Sequence, residues 1–100
     1  MTDLEITRLC AEAMYAPKRV KSAAKSVFYE DAPGQWVHFD PFDDDAQCFA
    51  LVKKFNIQIE GYPGDYSVCV DDNCASPFTK DLNRAICECI ASMQEKKVAA

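Results

Sequence analysis

The 100-residue chain is poor in glycine, with three residues scattered at positions 34, 61 and 64, and it carries one histidine and one tryptophan. Scattered glycines exclude the clustered loop whose backbone N–H groups cradle phosphates in nucleotide enzymes. His38 has no serine, cysteine or acid at a spacing that nominates a nucleophilic triad. It reads as a partly buried structural side chain, and enzymatic activity is not expected. Six cysteines are present without a single Cys-x-x-Cys pair. Cys87 and Cys89, two apart on a predicted helix, project roughly 200° apart and cannot share one ion. The Asp40 to Asp45 run lacks the alternating Asp/Asn spacing, the glycine and the distant glutamate of a calcium loop. Neither a metal nor a cofactor is expected. No apolar run approaches the roughly 18 residues of a membrane span, and MTDLEITRLC is charged where a secretory signal would be apolar. These absences point to a cytoplasmic protein, and a reducing compartment implies that all six cysteines are unbridged.

What is present describes a folded domain: 49% of residues are hydrophobic and 27% charged, in a chain long enough for one core spanning residues 1–100. The net charge of −5 is uneven, with +2 over residues 1–25, −7 over 26–85 and zero over 86–100. A middle segment this acidic repels nucleic-acid backbones, so a basic protein partner is expected in place of direct nucleic-acid contact. A homodimer is left open.

Thr2 and Glu5 have capping-box spacing, and Ile6, Leu9, Cys10, Ala13 and Met14 fall on one face of a first helix that Pro17 closes. Residues 17–35 are basic and the least readable: Lys18, Arg19, Lys21 and Lys25 sit in a loop or short irregular turn, Ala32, Pro33 and Gly34 mark a turn with short strands on either side near Val27 to Tyr29 and Gln35 to Phe39, and Trp36 and Phe39 anchor the loop on the core. Cys48, Leu51, Val52 and Phe55 predict a helix from about Asp45 to Phe55, which makes Asp43, Asp44 and Asp45 its acidic cap. Ile57, Ile59, Tyr66, Val68 and Val70 alternate as a hairpin around GYPGD, and DDNCASPF reads as a turn-rich loop. Leu82, Ala85, Ile86, Cys89, Ile90 and Met93 predict a last helix capped by Thr79 or Ser76, with a frayed tail at 95–100. The sum is an α+β fold: a small antiparallel sheet of two to four strands packed with about three helices, α-β-α sandwich-like.

Two sets of side chains are candidates for binding. The acidic set is Glu30, Asp31, Asp40, Asp43, Asp44, Asp71 and Asp72, a face for a basic partner. The basic set is Lys18, Arg19, Lys21 and Lys25 with Tyr15, Phe28 or Trp36 as stacking groups, a site for a nucleotide.

The order of features resembles the phage ABA sandwich domain family of small phage and prophage proteins. The matching stretches are LEITRLCAEAM, a tryptophan followed by FDPFDDDAQCFALVKKF, the Ile/Val hairpin and DLNRAICECIASMQ, over roughly residues 4–95. DPFDDDAQ and NRAICECI match best. Such proteins often end the first helix in a Met-Gly-Trp-like turn, where this chain has Met14, Tyr15, Ala16 and Pro17. The resemblance implies helices on both sides of a sheet and a phage origin, hence a home in the cytoplasm of an infected bacterium. It implies no catalytic residues. Taken with the acidic face, it leads to the expectation of a non-enzymatic, anti-CRISPR-like inhibitor that docks on a host protein or ribonucleoprotein defence complex. The alternatives are a sponge for a cyclic-nucleotide defence signal, using the basic set, and a structural or regulatory phage protein.

Overall fold

The computed structural model describes residues 2–62, 65–70, 73–79 and 81–99, with side chains described at 2–59, 68, 69 and 81–96. Helix α1 (Asp3–Tyr15) begins where the Thr2 hydroxyl accepts a 3.1 Å hydrogen bond from the Glu5 N–H, one half of the expected capping box. Ile6, Leu9 and Cys10 are buried, with Ala13 and Met14 packed beside them, so the predicted stripe is the core face. The residue before a proline is driven out of the helical region. Ala16 accordingly leaves the helix at φ 86°, ψ 143°, a conformation that favours glycine.

A 3-10 turn (Pro17–Arg19) leads into an antiparallel meander of β1 (Val20–Ala23), β2 (Ser26–Ala32) and β3 (Gln35–Phe39). A strand thus occupies much of the segment expected to be a loop. Its turn hides from pattern reading because Ala24 and Lys25 carry the positive φ values, 51° and 61°, that hairpins usually assign to Asn-Gly. Strand alternation gives this sheet two distinct faces. Val27 pairs with Phe39 on the inner face, and both are 1% exposed. Tyr29, on the same face, stacks on Tyr15 of α1 with ring centroids 4.1 Å apart. Burial and the adjacent Tyr29 push the Tyr15 phenol up to about 12. Phe28, Trp36 and His38 point the other way. The expected core role of Trp36 is therefore off by one strand position: Phe39 is the anchor, while Trp36 is 36% exposed and His38 is exposed instead of partly buried.

Helix α2 (Asp45–Phe55) has the predicted bounds and ends on Asn56 in the left-handed conformation. A second meander follows, β4 (Gln58–Tyr62), β5 (Asp65–Val70) and β6 (Asn73–Thr79). β6 takes up residues expected to form a turn-rich loop, and because Thr79 lies in it, the cap of the last helix moves on to Asp81. The Asp81 carboxylate accepts a 3.1 Å bond from the Arg84 N–H at the start of α3 (Leu82–Ala99), and α3 runs through the tail that the sequence leaves frayed. The fold is α+β, with three helices and the strands divided between two small antiparallel sheets among the described residues.

Helix α3 is the centre of the packing. It lies against α1, α2, β5 and β6, and its buried residues include Ala85, Ile86, Cys87, Cys89, Ile90 and Ala91, more than a single stripe. Cys87 meets thiols from both other helices. The Cys10 thiol donates to the Cys87 carbonyl at 3.2 Å, and Cys48 donates to the Asn83 carbonyl at 3.9 Å. Hydrogen bonding with Cys87, then burial, pushes the Cys48 thiol up, and hydrogen bonding with Cys10, together with burial, does the same to Cys87. These thiols are small, unreactive core residues. Cys69 is different: it is disulfide-bonded, which corrects the expectation of six unbridged cysteines, and Cys74 stands opposite it in the β5–β6 register.

Backbone strain at Ala16 yields a prediction. A non-glycine residue in this region costs roughly 1–3 kcal/mol, so Ala16→Gly is expected to raise unfolding stability by about 1 kcal/mol in urea titration after the entropy cost of glycine. Unchanged or lower stability would contradict the assignment.

Candidate functional site

The acidic stretch between β3 and α2 folds first as a tight turn, with the Asp43 and Asp44 N–H groups donating to the Asp40 carbonyl at 3.2 and 2.8 Å. Pro41 is fully buried beneath it. Asp44 is the N-cap of α2, its carboxylate accepting from the Gln47 N–H at 3.1 Å. The Gln47 side chain then clamps the end of β3, since its carbonyl accepts from the Asp40 N–H at 2.6 Å and its amide donates to the His38 carbonyl at 2.8 Å. From α3, the Asn83 amide donates to the Phe42 carbonyl at 3.2 Å and to the Asp45 carboxylate at 2.8 Å.

Helix α1 reaches the same place. Asp3 pairs with Arg84 of α3 at 2.9 Å, and Arg84 also pairs with Glu88 at 2.9 Å and lies 5.4 Å from the Phe42 ring centroid. The Asp3 carboxylate holds the Arg84 guanidinium in its charged form more firmly than usual. A cleft of about 460 Å³ opens here, lined among others by Asp3, Lys25, His38, Asp40, Asp43 and Arg84. Within it the Asp40 charge, then a hydrogen bond with Asp40, and more weakly Asp81, push Asp43 above the usual carboxylate range. Like charges held side by side on an exposed turn are unfavourable.

The sequence-derived acidic set therefore separates. Asp40 and Asp43 line the cleft, whereas Asp44 belongs to the helix cap. Glu30 and Asp31 lie at the far end of the sheet, roughly 15 Å away at the usual strand rise, beside the β2–β3 turn. There the Glu30 carboxylate accepts from the Gly34 N–H at 3.0 Å, and Arg19 donates to the Glu30 carbonyl at 3.1 Å. Asp71 and Asp72 lie outside the described residues. Asp3, Asp81, Asn83 and Arg84 are site residues that pattern reading missed. Only their positions at helix starts hinted at convergence.

The basic set is spread along the β1 hairpin, with Arg19 beside Glu30 at one end and Lys25 bordering the cleft at the other. Lys18 and Arg19 are on the 3-10 turn, Lys21 is on β1 and Lys25 is in the β1–β2 turn, with the Lys21 ammonium 4.2 Å from the centroid of Trp36. Among the described residues no group of three or more His, Cys, Asp or Glu side chains is arranged to hold a metal ion, and no helix is long and apolar enough to cross a membrane. Comparison with protein-family models, curated proteins and solved structures gives no match.

Two predictions follow from the turn. The folded protein holds the Asp43 proton more tightly than the unfolded chain does, so this group's contribution to stability is lost as pH rises through its titration. Asp43→Asn is expected to be more stable than the parent at pH 7, with the advantage gone below about the ordinary aspartate value of 3.8, as read by urea unfolding at both pH values. Gln47→Ala removes two side-chain bonds and leaves the Asp40 N–H without its acceptor, for a loss of roughly 2–3 kcal/mol. A loss below half a kcal/mol in the same titration would show that Gln47 is not a clamp.

Proposed function

We propose that the protein is a small non-enzymatic binding protein that presents its carboxylate-rich end to a basic surface of a bacterial host complex, as an anti-CRISPR-like inhibitor of a defence system. The observation that carries this reading is the Asp40–Asp43 pair. Asp44 caps a helix, Asp45 accepts from Asn83 and Asp3 pairs with Arg84, so folding employs each of these. The side chains of a half-buried Asp40 and an exposed Asp43 instead face one another, where the Asp40 charge and a hydrogen bond with Asp40 both raise Asp43. Unfavourable charge retained where the fold has no use for it is a common mark of a binding site. The turn is held by Gln47 and Asn83, so a partner meets preorganised carboxylates. The resemblance of DPFDDDAQ and NRAICECI to phage ABA sandwich proteins supports a phage origin.

The test is capture from bacterial lysate at low and moderate salt with the parent and with Asp40→Asn/Asp43→Asn. The parent is expected to retain a specific partner at low salt and release much of it when the Debye length shortens. The double variant is expected to fold normally and to lose that partner. Equal capture by both proteins would refute the reading.

A further inference from the structure

The outer face of the first sheet gathers aromatic and basic side chains. Strand register sets Lys21, Phe28 and His38 in one row across β1, β2 and β3, with Trp36 in the next row opposite Glu30. The Phe28 and His38 rings lie 5.5 Å apart, and the Lys21 ammonium rests 4.2 Å from the Trp36 ring centroid. The elements packed on this sheet, α1 and the 3-10 turn, include α1 contacts on the inner face through Tyr15. Trp36 is 36% exposed and His38 is exposed. Glu30, opposite Trp36 on this face, accepts from the Gly34 N–H at 3.0 Å, which draws its carboxylate toward the β2–β3 turn.

Charge complements the rings. Residues 17–25 hold Lys18, Arg19, Lys21 and Lys25 and no acid, within a chain of net charge −5. Among the described residues none of the four forms an ion pair. The Arg19 guanidinium is fixed on the Glu30 and Asp31 carbonyls instead of on a carboxylate. The segment-averaged charge that disfavoured nucleic acid conceals this strip, because exposed charges act over only about 8–10 Å at physiological salt, a range in which Lys25, but not Trp36, borders the acidic cleft.

We propose that this face binds single-stranded nucleic acid, with a base stacked on Trp36 and a second on the Phe28–His38 pair while Lys21 and Lys25 take the backbone phosphates. Aromatic side chains beside a basic track are the sequence-tolerant way of holding unpaired bases. A strand suits the face better than a free nucleotide, because small ligands need enclosure and the 460 Å³ cleft reaches His38 and Lys25 but not Trp36. Stacking on Trp36 displaces the Lys21 ammonium from the ring to the adjacent phosphate. This inference does not rest on Asp40 or Asp43, although Lys25 and His38 at one end of the face also border the cleft that holds them.

The single tryptophan of the chain makes the test direct. Purified protein is titrated at low salt with single-stranded oligodeoxythymidylate of about ten nucleotides, within the range of such sites, while Trp36 fluorescence and the anisotropy of a labelled strand are read. Quenching that saturates and weakens with salt is expected. Lys21→Ala/Lys25→Ala should weaken binding about tenfold or more, Trp36→Leu similarly by anisotropy, and Trp36→Tyr should retain most of it. Circular dichroism verifies folding, and the salt and duplex arms on the parent protein decide the matter if a variant unfolds. Absence of binding at millimolar strand, equal affinity for duplex of the same length, or equal affinity for thymidine monophosphate would each overturn the proposal.

Discussion

Three helices begin at one end of this molecule, and much of the architecture answers that constraint. Asp3, the first residue of α1, touches Arg84 in the first turn of α3, and Asn83 beside it touches Asp45, the first residue of α2. Helix N-termini carry partial positive charge and unpaired N–H groups. Gathering three of them in one place is unfavourable unless anions and acceptors gather with them. Thr2, Asp44 and Asp81 supply the caps, and Asp3 and Asp45 occupy first turns. The acidity of this end is thus first a requirement of helix packing. The carboxylates left over from that requirement are Asp40 and Asp43.

The hub depends on side-chain amides more than on ion pairs. Arg84 is exposed enough that its pairs with Asp3 and Glu88 add modestly to stability. Gln47 and Asn83 instead satisfy backbone groups of the β3–α2 connection directly, and a backbone group deprived of its partner is costly. Beneath them α3 is enclosed by the other two helices and the second sheet, and its small residues Ala85, Cys87, Cys89 and Ala91 allow this close approach. The thiol contacts of Cys10 and Cys48 around Cys87 are a product of that packing.

The first sheet shows how one strand register produces two chemistries. Its inner face, Val27, Tyr29 and Phe39, closes the core over Tyr15, while its outer face holds Phe28, Trp36 and His38 beside Lys21. The cations of the β1 hairpin and the carboxylates of the three-helix end are consequently separated. They meet where Lys25 and His38 border the cleft that also holds Asp40 and Asp43. A molecule acidic on average therefore offers surfaces of both signs.

Local pattern determined the three helices, the cap at Asp44 and the β4–β5 hairpin, because these follow from side-chain periodicity and capping chemistry that act within a few residues. It did not reveal β1 or β6, whose strand character comes from pairing with neighbours, nor the positive φ values at Ala16, Ala24 and Lys25, which surrounding structure imposes. Trp36 and Phe39 are both expected to anchor on the core, yet three positions apart on one strand they face opposite sides, and Trp36 turns outward. Which aspartates stand together was beyond sequence too. Asp3 and Asp81 are far along the chain from the Asp40–Asp43 turn and share one cleft with it, because only the packing of α1 and α2 on α3 decides which helix ends meet.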